Sequence, residues 1–148
     1  MITNKSNLTS SQKILIHTKT LKVLFGDMDA YGHVNNTNYF LYAQEARFDI
    51  LTEHNYSIDA KKIAPILAYT TCKYIKPIIY PEEIIIETYY TGNEGKKTFF
   101  QHIIKSNKTP DLLYAIIEAS IIWYDFEKKA SIDNPNYIIE LLSEKIMS

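Results

Sequence analysis

Phe25-Gly26-Asp27-Met28-Asp29-Ala30-Tyr31-Gly32-His33-Val34-Asn35-Asn36, continued by Thr37-Asn38-Tyr39-Phe40, separates an apolar, strand-like segment from the longest helix-compatible run of the chain. The turn holds two acids, two glycines and a histidine. Two asparagines stand where the helix would begin, a position at which their side chains can accept backbone N–H bonds. The first N–H groups of a helix have no partner within it, and they carry the positive end of its dipole. A carboxylate facing them suits attack on a carbonyl: it supplies the nucleophile or activates a water, while the donors hold the charge that develops on oxygen.

Beyond the turn, no Gly or Pro interrupts Asn36 to about His54. Tyr39, Ala43, Ala46 and Ile50 recur at spacings of four, three and four, with Glu45, Asp49 and Glu53 on another face, as an amphipathic helix requires. The start of this helix, Tyr39 to Ala43, is apolar on nearly all sides, which predicts a curved sheet wrapping it.

The flanking segments read as strands. Lys13 to Phe25 precedes the turn; after a loop through Pro65, Ile66 to Ile79 is rich in Tyr, Thr and Ile, with Pro77 marking a bend or edge. Glu83 to Thr91 alternates, placing Ile84, Ile86, Thr88 and Tyr90 on one face. Gly92-Asn93-Glu94-Gly95 signals a hairpin. Lys97 to Lys105 and Leu112 to Tyr124 then flank a turn at Ser106 to Asp111, giving antiparallel order. Asn134-Pro135 supplies a cap and a first-turn proline for a short terminal helix with Tyr137, Ile138, Leu141 and Leu142 on its packing face.

At 148 residues, 46% hydrophobic and 22% charged, the chain fits one globular core. A net charge of -1 gives no general attraction to nucleic acid or an anionic membrane. Cys72 is the single cysteine, so no intrachain disulfide and no cysteine-rich zinc site can form, and a cytoplasmic setting is expected. Residues 1–12, rich in Asn, Ser and Thr, read as a flexible tail before a single domain spanning 13–148. Apolar runs break well short of the ~20 residues of a spanning helix, so no membrane insertion is expected. His17, His54 and His102 are scattered, and neither a metal-binding histidine pair nor a glycine-rich phosphate loop occurs; the expectation is chemistry without metal or cofactor.

The pattern Asp27-x-Asp29-x-x-Gly32-His33-Val34-Asn35-Asn36-x-x-Tyr39 resembles the signature of hotdog-fold thioesterases, in particular the acyl-CoA thioesterases related to 4-hydroxybenzoyl-CoA thioesterase. The order of elements from about Leu21 to Leu142 is similar to theirs. The resemblance implies an α+β hotdog fold, a curved antiparallel sheet wrapped around a long central helix. It further implies hydrolysis of a fatty or aromatic acyl-CoA to free acid and CoA. Asp29 would be nucleophile or general base, and the Asn36 N–H part of the oxyanion site. His33 is the candidate to orient Asp29 or to share in activating water, and Asp27 is the structural acid of the pair. Candidate substrate contacts are Tyr39, Thr70 and Thr71, with Lys96 and Lys97 on the hairpin toward CoA phosphates. A homodimer or homotetramer with clefts shared between protomers is also implied. The alternatives are an acyl-carrier-protein thioesterase and a non-catalytic module that binds acyl thioesters.

Overall fold

Burial that alternates residue by residue through most of Glu83–Glu94 and along Lys97–Ser106 sets the architecture, because each strand then offers one face to a common core. In a computed structural model, which describes residues 13–54, 62–134 and 136–147, the chain runs β1 (Ile14–Lys22), α1 (Asn38–Glu53), β2 (Ile63–Tyr74), β3 (Glu83–Glu94), β4 (Lys97–Ser106), β5 (Leu113–Asp125), β6 (Ala130–Ile132) and α2 (Asn136–Met147). All pairings are antiparallel, in the order β1-β3-β4-β5-β2 with β6 added to β5. The expected tail over residues 1–12, the proline at 135 and the side chains of Tyr137 and Ile138 lie outside the described residues.

One face of the sheet carries Ile84, Ile86, Ile104, Ala115 and Ile117, all fully buried, and receives Tyr39, Tyr42, Ala43 and Ala46 of α1. Ala43 and Ala46 allow close approach of helix to sheet, and each fully buried isoleucine contributes about 1.5–3 kcal/mol over its exposed state. Shifts in register at His17, Tyr69, Gly92 and Lys105 mark the irregularities that bend the sheet over this helix. Covering is one-sided in the single chain: Leu41 is 52% exposed and Phe48 is 39% exposed.

Several boundaries differ from the sequence-based expectations. Helix α1 begins at Asn38, two residues late, because Asn35 to Thr37 form a turn of their own. Strand β2 begins at Ile63 and includes Pro65, which an edge strand tolerates because its missing N–H can lie on the unpaired side. Strand β6 was not expected; its three residues extend β5 through a turn at Phe126 to Lys129. The hairpin tightens to Gly95-Lys96, while Gly92 occupies the bulge before it. Helix α2 packs as expected, with Leu141 buried against Ile16, Ile50, Phe100 and Ile121.

Candidate active site

The turn between β1 and α1 is held almost wholly by its own backbone. A short 3-10 segment, Phe25–Asp27, ends β1; Met28 and Val34 then form an isolated antiparallel bridge. Within it the Asp29 N–H donates to the His33 carbonyl at 2.9 Å and the Gly32 N–H to the Asp29 carbonyl at 3.1 Å. Gly32 has φ +80, a conformation that a side chain disfavours, so glycine closes this loop. The Val34 N–H donates to the Ile78 carbonyl at 2.9 Å, which fastens the turn to the β2–β3 connection.

The two acids are set apart by their partners. Asp27 is enclosed by structural bonds: its Oδ2 accepts the Leu24 N–H at 3.0 Å and the Tyr42 hydroxyl at 2.8 Å, and its carbonyl accepts the Asn35 N–H at 2.8 Å. Asp29 is half-buried, and its Oδ1 accepts the Tyr31 N–H at 2.8 Å. Among the described residues its Oδ2 has no partner, leaving that oxygen available to a ligand or water. His33 is exposed, and its link to Asp29 runs through backbone; among the described residues its imidazole makes no hydrogen bond to the carboxylate.

The helix entry is organised by Asn35, not by a side-chain cap on the helix itself. Its Oδ1 accepts both the N–H and the Oγ1 hydroxyl of Thr37, at 3.0 and 2.9 Å, while its carbonyl accepts the Asn38 N–H at 2.9 Å. These bonds consume two of the donors that would otherwise fan out from the helix. The exposed Asn36 N–H has no partner among the described residues. Its carbonyl accepts the Tyr74 hydroxyl from the end of β2 at 2.7 Å. Burial, and after it the neighbouring Cys72, pushes the Tyr74 phenol up to about 12, so it stays a donor through the physiological range.

The remaining candidates are dispersed. Tyr39 is 3% exposed; its ring meets Tyr74 edge-on at 4.9 Å and its hydroxyl accepts the Ile78 N–H at 3.3 Å. It therefore supports the turn from beneath. Thr70 pairs with Ala119 and Thr71 with Glu118, so the two threonines point to opposite faces of β2. Only Thr70 shares the helix-covered face, and its hydroxyl donates to the Glu118 carbonyl at 2.7 Å. Lys96 donates to the Ser131 carbonyl at 2.8 Å. Lys97 is opposite Ile122 on β5, whereas Tyr74, beside the turn, is opposite Ala115. Seven residues of strand separate those positions, roughly 23 Å, so the hairpin lies far from Asp29 within one chain.

Sequence reasoning missed Tyr42, Tyr74 and Arg47 as organising residues. Tyr42 and Arg47 sit on the helix where packing alone accounts for them, and Tyr74 ends a Tyr- and Thr-rich strand, so none carried a local signal. Among the described residues, no group of three or more His, Cys, Asp and Glu side chains is disposed to hold a metal ion. No described helix is long and apolar enough to cross a membrane.

Comparison with known proteins agrees with this fold. The thioesterase-like superfamily model matches residues 23–142, which span the turn, α1 and the whole sheet after β1. The PA2801 protein of Pseudomonas aeruginosa superposes with a TM-score of 0.82 at 27% identity, over 86% of this chain and 98% of that one. Slr0204, a 1,4-dihydroxy-2-naphthoyl-CoA thioesterase from Synechocystis, superposes with a TM-score of 0.77 over 85% of this chain and 94% of that one. At 15% identity that likeness is one of fold. The YsmA protein of Bacillus subtilis is 26% identical over 87 residues, 59% of this chain and 58% of that protein. With a curved antiparallel sheet, one main helix and the family model extending from Val23 to Leu142, the chain belongs to the thioesterase-like superfamily.

Proposed function

We propose that the protein hydrolyses the thioester of a fatty or aromatic acyl-CoA to a carboxylic acid and free CoA. The observation that carries this reading is an Asp29 carboxylate, held through one oxygen by the Tyr31 N–H, in the same turn as an Asn36 N–H that has no partner among the described residues. An Asp29 oxygen attacks the carbonyl carbon, or takes a proton from a water that attacks it. The carbonyl oxygen becomes anionic and accepts the Asn36 N–H. Collapse expels the thiolate, and the second product is the acid, released directly or after water cleaves the acyl-aspartate. A thioester suits this equipment because its leaving group departs readily, so orientation, a carboxylate and a preorganised donor suffice.

The unit of function in this reading is a single domain over residues 13–148, assembled as a homodimer or a homotetramer built from dimers in the cytoplasm. Strand β2 supports the assembly: it is a twelve-residue edge, with Leu67 and Tyr69 44% and 66% exposed, and the exposed Phe48 of α1 lines a cavity together with Leu67. Such an edge invites pairing with a second copy. That pairing would complete the wrapping of α1. It would also bring the Lys96-Lys97 hairpin or the β2 wall of one protomer toward Asp29 of the other.

The test is release of free thiol by the purified protein from a panel of acyl-CoA and acyl-carrier-protein thioesters. Turnover of CoA esters that is lost in Asp29→Asn is the expected result. Turnover confined to carrier-protein esters would move the carrier assignment. Tight thioester binding without any thiol release would replace the enzyme with a binding module.

A further inference from the structure

Away from the turn, a cavity of about 210 Å³ opens between α1 and the inner side of β2, β4 and β5. Its walls include Leu51, Leu67, Phe100, Ile121 and Trp123, and among the described residues Arg47 is the one charged side chain lining it. Arg47 is part-buried, and its Nη1 lies 3.1 Å from His102 Nε2. An arginine can only donate, so Nε2 is the acceptor and His102 is neutral, with its proton on Nδ1 directed to Thr88 Oγ1 at 2.9 Å. The guanidinium thus rests on an uncharged partner. The nearby helix carboxylates are engaged elsewhere: Asp49 with Lys19 at 2.6 Å, and Glu53 with His17 at 3.2 Å. Among the described residues none forms an ion pair with Arg47.

A part-buried cation with no counter-charge among the described residues is unfavourable, and Arg47 is such a cation at the wall of an open apolar cavity. The volume limits what can relieve it. A cavity of roughly 150 Å³ accommodates benzene, so this one has room for a single ring with a small substituent. We propose that the cavity binds a compact organic anion, a ring-sized apolar group whose carboxylate or equivalent anionic substituent rests on Arg47. Arg47 stands nine residues beyond the start of α1, roughly 14 Å along its axis, so this site is separate from the Asp29 turn. The inner face of β2 joins the two: Tyr74 meets Asn36 at one end and Leu67 lines the cavity at the other. The anion is either the far end of the acyl group or a released acid; only that choice rests on the thioester reading, not the site itself.

Calorimetric titration of the full chain with benzoate and with benzamide tests the site without requiring turnover. Benzoate should bind at least roughly tenfold more tightly than the neutral amide, since a hydrogen bond to a charged group is the stronger kind. Arg47→Met should abolish that preference. Should Arg47→Met fail to fold by circular dichroism, Leu67→Trp, at a half-exposed position, keeps the arginine, fills the mouth and should abolish benzoate binding. Failure of benzoate to bind, equal binding of benzamide, or binding unchanged in the variants overturns the proposal. A second copy whose carboxylate occupies Arg47 would give the first of these results. Benzoate that raises KM for a ring-bearing thioester identifies the acyl end as the natural anion, and benzoate that lowers kcat identifies the released acid. Arg47-dependent binding in a protein that cleaves no thioester would keep this site and remove the hydrolytic reading.

Discussion

The Tyr42 hydroxyl donates to Asp27 Oδ2 at 2.8 Å, and this bond ties α1 to the turn that carries Asp29. Burial first, and the Asp27 carboxylate second, push the phenol far above its ordinary range, so the proton stays on Tyr42 and the carboxylate stays the acceptor. Tyr42→Phe keeps the ring and leaves the Asp27 carboxylate, among the described residues, with the Leu24 N–H alone. The variant should lose about 1–3 kcal/mol of stability. Urea unfolding should show a lower midpoint at an unchanged slope.

Asp29→Asn keeps the shape of the loop while removing the anion, and should lower single-turnover thiol release at least ~100-fold with the unfolding midpoint nearly unchanged. Near-normal turnover in the folded variant would remove Asp29 from the centre of the mechanism. His33→Ala should be the milder change, because the bond that ties residue 33 to Asp29 comes from its backbone carbonyl. A kcat/KM profile that keeps its shape against pH in His33→Ala would assign the imidazole no proton transfer.

Tyr74→Phe deletes the 2.7 Å bond to the Asn36 carbonyl and frees the residue whose N–H is proposed to hold the oxyanion. A net bond of about 0.5–1.5 kcal/mol corresponds to a loss of roughly 2- to 10-fold in kcat, with KM little changed. A KM effect alone would place Tyr74 on the binding path.

His102 gives stability a pH dependence whose sign is fixed by its burial. Burial, then the charges of Arg47 and His17, push it down to about 3, against an unfolded value near 6.5. Below 6.5 the unfolded chain takes up a proton that the folded chain refuses. Its stabilising contribution is therefore present above pH 6.5 and is lost as pH falls toward the folded value, by about 1.4 kcal/mol per pH unit. Urea midpoints measured from pH 7 to 5 should fall accordingly, and His102→Gln should flatten the slope.

Light scattering across a dilution series, with activity measured on the same samples, should give a dimer or tetramer whose activity falls as it dissociates. A monomer fully active at every concentration would exclude a shared site. Mixing Asp29→Asn subunits with subunits altered only in the β2 wall should restore activity if the cleft spans two protomers, since a mixed dimer holds one intact cleft.

What is local in the chain is legible from residue order. Alternation at Ile84, Ile86 and Thr88, the glycines of the β3–β4 hairpin, and the Asp27-to-Asn36 turn with its following helix each follow from interactions between residues a few positions apart, so their spacing is legible without a fold. Residue order also indicated that Asp27 and Asn35 bond to backbone close by. It misjudged elements fixed by neighbours: the helix start, where Asn35 and Thr37 bond to each other first, and Pro65, tolerated because β2 happens to be an edge. It could not tell which of Thr70 and Thr71 shares the helix-covered face without the register of β2 on β5. Tertiary structure alone decided that Tyr74 meets Asn36, 38 positions away, and that Arg47 meets His102, 55 positions away. Those contacts depend on how a helix and two strands from different parts of the chain are stacked, and no periodicity within any one of them encodes the partner.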